Sequence, residues 1–361
     1  MLTKSPSVPK AAPRAGIAGI PRLPAAAFAP KPQGALELDA NETRFGASPR
    51  VRQAMLAELE SGMETHYPAI EAVPLTTALA ELHGLEPGMV VAAGGGELLL
   101  PLALVAFAGT GDEVVYFGDG FMKFRGYILT SGAVPVPVSR EGDAVGNLLA
   151  AITPRTRVVL FDNPGNPTGR MLPAGEVARL RMALPEQVLL MLDEAYMEFT
   201  DAGRLGLDLL PGEGNVMVFR TLSKAYGLAG LRVGWAAGAE ALIEHVKRVV
   251  PTFPIPRLTL AGALAALSDQ EHLQATLALM RASRAEATRR LRAAGWDVPE
   301  SQGNFVLVKG GAGRDVMAAH RALAGAAILV RTMPDFCGAP AMRITIGTEA
   351  EMARVLAILC A

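Results

Sequence analysis

The 361-residue sequence predicts an α/β protein: a mostly parallel seven-stranded sheet covered by helices, followed by a smaller α+β domain. Three observations point there. Seven short apolar runs recur at 89–93, 113–117, 134–138, 157–161, 188–192, 215–219 and 232–237. Helix-length amphipathic segments separate them, and continuous apolar runs between helices are what strands buried on both faces produce. After Pro251 the character changes, with one long helical stretch and then three shorter strands.

In chain order, the first 36 residues carry Lys4, Lys10, Arg14, Arg22 and Lys31 and no acid. Prolines at 6, 9, 13, 21 and 24 interrupt every apolar run, so a secretory h-region is missing. Residues 1–35 are expected to be an arm that packs against another subunit or domain. Organised sequence begins near Leu36. Ser48-Pro49 marks a helix start, with an amphipathic helix to about residue 60. The large domain occupies 36–250, and its first segment is expected to help complete the smaller domain, 251–361. In that second part a helix is expected over 270–294, strands at 304–309, 327–331 and 342–346, and a last helix over 349–359. The charge run from Arg281 to Arg292 reads as a solvated helix face, and Trp235 and Phe305 as core residues.

A formal charge of −1 gives no electrostatic case for nucleic acid or an anionic membrane. The longest apolar stretch, 98–109, is broken by Pro101 and is too short to span a bilayer. Cys337 and Cys360 make no disulfide framework, so a reducing compartment, the cytoplasm, is expected. Five scattered histidines form no HExxH-like pair, and no metal site is expected.

Four strand ends carry ligand-type residues, at the edge where a parallel sheet binds small molecules. The run 215–219 leads into Arg220-Thr-Leu-Ser-Lys224, and Gly227 and Gly230 precede Arg232. An amine beside hydroxyls and a guanidinium suits a Schiff-base lysine next to a bound phosphate, although any single Ser-Lys pair is most simply a solvated loop. Asn163-Pro-Gly-Asn166-Pro-Thr-Gly169 is a rigid turn presenting a side-chain amide. Asp193 ends an apolar strand three residues before Tyr196. A carboxylate there needs a cation or strong donor, which a protonated ring nitrogen, a helix N-terminus or Mg²⁺ could each provide. Gly94-Gly-Gly96-Glu97 lies between a strand and an apolar helix, where backbone N–H groups can meet an anion. No Walker phosphate loop and no full GxGxxG fingerprint is present.

In this order, the four motifs resemble those of fold-type I pyridoxal-phosphate aminotransferases. Asn41-Glu42 with Ser48-Pro49, Tyr67-Pro68, Asp193-Glu-Ala-Tyr-Met-Glu-Phe199, Ser301-Gln-Gly-Asn-Phe305 and Met342-Arg-Ile-Thr-Ile-Gly347 are most similar to the histidinol-phosphate aminotransferase subgroup. The resemblance runs from about Leu36 to the end of the chain.

It implies pyridoxal 5'-phosphate as cofactor and a small-molecule amino donor and oxo acceptor as partners. Lys224 would hold the cofactor covalently and then carry the substrate proton. Asp193 would pair with the ring nitrogen, and Asn166 and Tyr196 with the ring oxygen. Gly95, Gly96, Thr221, Ser223 and Arg232 would bind the phosphate, joined by Tyr67 from the other subunit of a homodimer with shared active sites. Phe121 would stack on the ring. Arg343 would clamp a substrate carboxylate with its planar fork, Arg331 would be a second anion contact, and Asn166 and Asn41 would line the substrate side. Three positions depart from the subgroup: Gly94-Gly-Gly-Glu97 replaces a turn with a serine and an acid, Phe121 lacks a tyrosine's hydroxyl, and Phe28 stands near a substrate-side tyrosine. The expected reaction is transamination of histidinol phosphate. Aromatic amino-acid transamination and threonine-phosphate decarboxylation are the alternatives. A ligand sensor is disfavoured, because the pattern begins by Leu36 after a proline-rich arm and leaves no room for a DNA-binding helix-turn-helix.

Overall fold

The structure is a computed structural model that describes residues 12–21, 31–211, 214–311 and 313–361. Phe28 and most of the expected arm lie outside the described residues. Residues 12–21 include one short helix, α1 (Ala15–Ala18). They are tied to the same chain by the Arg14 guanidinium, which donates to the Thr130 carbonyl at 2.6 Å.

Strand β1 (Leu36–Leu38) is followed by α2 (Pro49–Glu60), whose N-terminus is capped by Ser48 accepting from the Arg50 N–H. Then come α3 (Val73–His83), β2 (Val90–Ala93), α4 (Gly96–Phe107), β3 (Glu113–Phe117), α5 (Phe124–Ser131), β4 (Val134–Val138), α6 (Ala144–Ala150) and β5 (Thr156–Asp162). The large sheet is completed by β6 (Leu189–Asp193), β7 (Val216–Thr221) and β8 (Gly234–Gly238), with α7 (Ala174–Ala183) before β6 and α8 (Glu240–Lys247) after β8. Its seven strands run in the order β2-β8-β7-β6-β5-β3-β4. Only β8 is antiparallel to its neighbours, so the other six end at one common edge.

Alternation along these strands splits the core into two faces. Val159, Phe161, Leu190, Leu192, Val216 and Val218 face one cluster. Val158, Leu160, Leu189, Met191, Met217 and Phe219 face the other, against Leu99, Leu104, Phe124 and Ile128 of α4 and α5. Both faces are therefore dry, which is why the strands read as continuous apolar runs.

The second sheet has the order β1-β10-β11-β9, from β9 (Phe305–Lys309), β10 (Ile328–Phe336) and β11 (Ala339–Thr345). Around it lie α10 (Gln270–Ala293), α11 (Val316–Gly325) and α12 (Glu349–Leu359), while α9 (Arg257–Leu267) packs on α2 and α3. The first strand pairs in parallel with β10, Leu36 opposite Ile328, so chain from before the large sheet joins the small one. Strand β10 runs further than the expected 327–331. It continues through a register shift between Met333 and Phe336 into a tight hairpin at Cys337 and Gly338, both at positive φ. Pro334 obscured that extension, since a residue without an N–H signals a strand end unless it lies at a bulge or an edge.

The charge run on α10 is a second departure from expectation. Arg281 donates to the carbonyls of Glu198, Phe199 and Thr200, Arg284 to Gly303 and Arg292 to Val298. These arginines bind the helix to loops that carry site residues. Periodicity reports a polar face but not the carbonyls that face it. Trp235 and Phe305 are buried, as read.

Candidate functional site

The common edge of the large sheet collects the four motifs. Asp193 ends β6, opposite Asp162 at the end of β5. Its Oδ1 accepts one hydrogen bond, from the Ala195 N–H at 3.1 Å. Burial, then the Asp162 charge, push its carboxyl up to about 7, against the pull of the Ala195 N–H and Lys224. A carboxylate so placed favours a cationic hydrogen-bond donor as its partner.

Lys224 lies three residues beyond β7, and its Nζ donates to the Ala40 carbonyl at 3.0 Å. Burial, then the nearby Arg343 charge, lower the ammonium to about 8. The unprotonated, nucleophilic amine is therefore more accessible near neutral pH than for an ordinary lysine.

Asn166 and Tyr196 meet in a buried network that joins both sheets. The Tyr196 hydroxyl accepts from the Asn41 amide at 2.9 Å and from the Asn166 amide at 3.2 Å. Burial pushes this phenol up to about 12. The Asn166 side-chain oxygen Oδ1 accepts from Arg343 Nη1 at 2.6 Å, and Arg343 Nη2 donates to the Asp39 backbone carbonyl at 2.7 Å. Arg343 has no carboxylate ion-pair partner among the described residues, and its Nε is buried without a hydrogen bond. Arg331 lies opposite it in the β10–β11 pair. Two guanidiniums facing each other repel, and an anion between them relieves that.

Asn41 was legible as a site residue, but its supports were not. Its backbone sits at φ 55, which asparagine tolerates better than most residues. The Thr345 hydroxyl accepts from its N–H, and the Asn304 amide donates to its carbonyl. Asn304 stood in a quoted motif without a role, and Thr345 carried no signal beyond its place in a strand.

The fourth group forms a cradle. Gly95, at φ 93, caps α4, and Gly96 is its first residue. A Cβ on Gly95 would lie 2.7 Å from Arg232 Nη2. Arg232 itself, at φ 55, donates to the Ala229 carbonyl at 3.1 Å and to Ser223 Oγ at 3.4 Å. Glu97 is 4.0 Å from Nη2, and both side chains are half exposed. The Thr221 hydroxyl donates to the Val233 carbonyl and accepts from the Ser223 N–H, so it braces the loop. A helix start, bare glycines, a hydroxyl and a guanidinium suit a phosphate monoester. Together with a half-buried carboxylate in want of a cation and an amine of lowered basicity, they fit pyridoxal phosphate.

Phe121 is partly buried, edge-on to Phe124 with centroids 5.6 Å apart and tilted against Tyr127. The Tyr127 hydroxyl is buried without a hydrogen-bond partner and lies within electrostatic reach of Glu97, Asp193 and Arg232. Nothing in its sequence context marked it. Tyr67 is 80% exposed and stacks on Phe253 at 4.6 Å. The structure therefore brings together Lys224, Asp193, Asn166, Tyr196, Asn41 and Arg343 in one region, and Gly95, Gly96, Ser223 and Arg232 in the cradle beside it. Tyr67 instead stands on the outer surface of the chain.

Residues 33–359 match the family described as Aminotransferase class I and II. The chain is 38% identical over 328 residues to a histidinol-phosphate aminotransferase of Cereibacter sphaeroides, covering 90% of each chain. It is 39% identical over 343 residues to one from Erythrobacter litoralis, covering 92% of each. Among solved structures, the histidinol-phosphate aminotransferase of Sinorhizobium meliloti in complex with pyridoxal-5'-phosphate superposes with a TM-score of 0.83 at 31% identity, over 90% of both chains. An aspartate aminotransferase from Rhizobium meliloti shares the fold at 24% identity, with a TM-score of 0.80. With the motifs in this order, the edge geometry just described and matches over nearly its whole length, the chain belongs to the class I and II aminotransferases.

Proposed function

We propose that this chain is a histidinol-phosphate aminotransferase that uses pyridoxal phosphate, moving an amino group between L-histidinol phosphate and 2-oxoglutarate. The carrying observation is the pair of guanidiniums, Arg343 and Arg331, opposite each other on β10 and β11 beside the Asn166–Tyr196 network. Both partner substrates are anionic, and a two-arginine site recognises either a carboxylate or a phosphate.

When bound, pyridoxal phosphate supplies an electron-accepting ring that makes the substrate Cα–H acidic. Asp193 would pair with a protonated ring nitrogen, and Asn166 and Tyr196 would hydrogen-bond the ring oxygen. The Gly96 N–H, Ser223 and Arg232 would hold the phosphate against the bare backbone of Gly95, whose own N–H donates to the Ala93 carbonyl. Phe121 covers one ring face. Lys224 would hold the cofactor through its amine and carry the substrate proton, a task suited to an ammonium that burial lowers to about 8. Arg343 orients a substrate carboxylate, and Arg331 adds charge for a distal anion.

This reading includes a homodimer. Leu56 and Leu59 of α2, Tyr67, Ile70, Val73, and Leu98 and Val105 of α4 are large apolar side chains exposed on the single chain. A partner copy would cover such a surface, and the partner subunit's Tyr67 would reach the phosphate. Among the described residues no helix is long and apolar enough to cross a membrane.

The test is a half-reaction screen that follows cofactor absorbance. L-histidinol phosphate and glutamate should each convert the aldehyde form of the cofactor to the amine form. A response to phenylalanine alone, or release of CO₂ from O-phosphothreonine, would overturn the assignment.

A further inference from the structure

Behind the turn that carries Asn166 lies a buried charge cluster that no motif covers. Arg140 follows β4, and its side chain is 4% exposed. Its Nη2 meets Asp162 Oδ1 at 2.8 Å, its Nη1 donates to the Asp162 carbonyl at 3.3 Å, and its guanidinium lies 4.3 Å over the Phe117 ring. The other Asp162 oxygen, Oδ2, accepts from the backbone N–H of Asn166 at 2.6 Å. A Cβ on Gly165 would lie 3.2 Å from the guanidinium carbon, so the turn rests on the arginine. Asp119 is the remaining acid near by, at 3.5 Å from Arg140 Nε, and neither of those two atoms makes a hydrogen bond. The arginine's hydrogen bonds therefore all go to Asp162.

We propose that Arg140, acting through Asp162, is a positioning residue for Asn166, fixing the turn whose amide serves both Tyr196 and Arg343. The inference rests on the aminotransferase reading above. Arg140 touches neither cofactor nor substrate. One carboxylate is shared between a guanidinium and the Asn166 N–H, so a shift of the arginine is passed to the backbone of the turn. The Asn166 side chain leaves that backbone within hydrogen-bond distance of Tyr196 on one side and Arg343 on the other. Burial raises the Asp162 carboxyl, and the Arg140 charge opposes this. Lysine could keep the charge but not both contacts to Asp162, since it lacks the fork.

The test compares wild type with Arg140→Lys and Arg140→Met/Asp162→Asn. The double variant removes both buried charges while leaving an acceptor for the Asn166 N–H. Leu291→Ala, a core truncation in α10, is the control for lost stability alone. Cofactor-free protein is titrated with pyridoxal phosphate, and KM and kcat are then measured with glutamate. The double variant should bind the cofactor about tenfold more weakly, the effect of one charge-assisted hydrogen bond, with KM rising more than kcat falls. Arg140→Lys should lie between it and wild type, and Leu291→Ala should match wild type in both quantities at a temperature where it is folded. If the double variant does not fold, Arg140→Lys carries the test alone. Wild-type cofactor affinity and KM in whichever Arg140 variants fold would overturn the proposal, as would equal losses in Leu291→Ala. Failure of wild type itself to bind pyridoxal phosphate would instead overturn the aminotransferase reading.

Discussion

Replacing Asp193 with asparagine separates what this carboxylate does for chemistry from what it costs the fold. In the cofactor-free chain its carboxyl is raised from an ordinary 3.8 to about 7, with burial as the largest cause. That is about three pH units, so the ionised side chain costs the folded state about 4 kcal/mol at the upper end. The sign follows from linkage. A carboxyl whose proton affinity is higher folded than unfolded favours the fold below about pH 4, and that advantage is lost as pH rises through about 7. Asparagine has no charge to bury and keeps an oxygen for the Ala195 N–H. Cofactor-free Asp193→Asn should therefore gain stability over wild type at about pH 8, by roughly 2–4 kcal/mol, and much less at about pH 5. Urea denaturation of both proteins without cofactor, at the two pH values, reads the difference. With saturating pyridoxal phosphate the order should reverse, because a ligand that binds only the folded state stabilises by its affinity, and the variant has lost the anion facing the ring nitrogen. A gain that is the same at both pH values would refute the claim that an unpaired, half-buried charge is the cause.

Lys224→Ala should abolish the visible absorbance of lysine-bound cofactor and lower turnover by about a thousandfold or more, and an unchanged spectrum would reject that role. Arg343→Ala should raise KM for glutamate at least about 30-fold, since truncating one side of a buried charge contact costs roughly 2 kcal/mol or more. Arg331→Ala should act mainly on the phosphate-bearing substrate, and the opposite pattern in steady-state kinetics would exchange the two roles. Gly95→Ala places a Cβ 2.7 Å from Arg232 Nη2 at a φ of 93. It should weaken cofactor binding about tenfold in an equilibrium titration, and wild-type affinity would show that the glycine does not shape the cradle.

The strands of the large sheet were legible to within a residue or two because burial on both faces leaves an uninterrupted apolar run. Asp193, Lys224 and the Asn166 turn were legible for the complementary reason: each is a polar residue placed where such a run ends. Arg140 and Asp162 were not. A buried ion pair between residues 22 positions apart leaves no periodic trace, and each partner alone reads as an exposed loop charge. The α10 arginines failed in the opposite direction, since a polar helix face looks the same whether water or backbone carbonyls lie beyond it. The hairpin extension of β10 was hidden by Pro334, whose missing N–H is harmless at a bulge. Tyr67 was found by its motif, yet its exposure on the single chain could not be read from that motif.

Asp162 and Asp193 occupy equivalent ends of adjacent parallel strands, directly opposite in register. The Asp162 charge raises the proton affinity of Asp193, and burial raises both. The fold resolves this by treating them differently. Asp162 receives a guanidinium and the Asn166 N–H, which compensate its charge and make it an internal strut. Asp193 receives one backbone N–H and no cation in direct contact among the described residues, so its demand for a positive partner is left open. An arginine within reach of Asp193 would remove that demand. The same residue type thus supports the turn on one strand and presents an unmet charge on the next. The difference lies in Arg140, which reaches the first carboxylate and not the second.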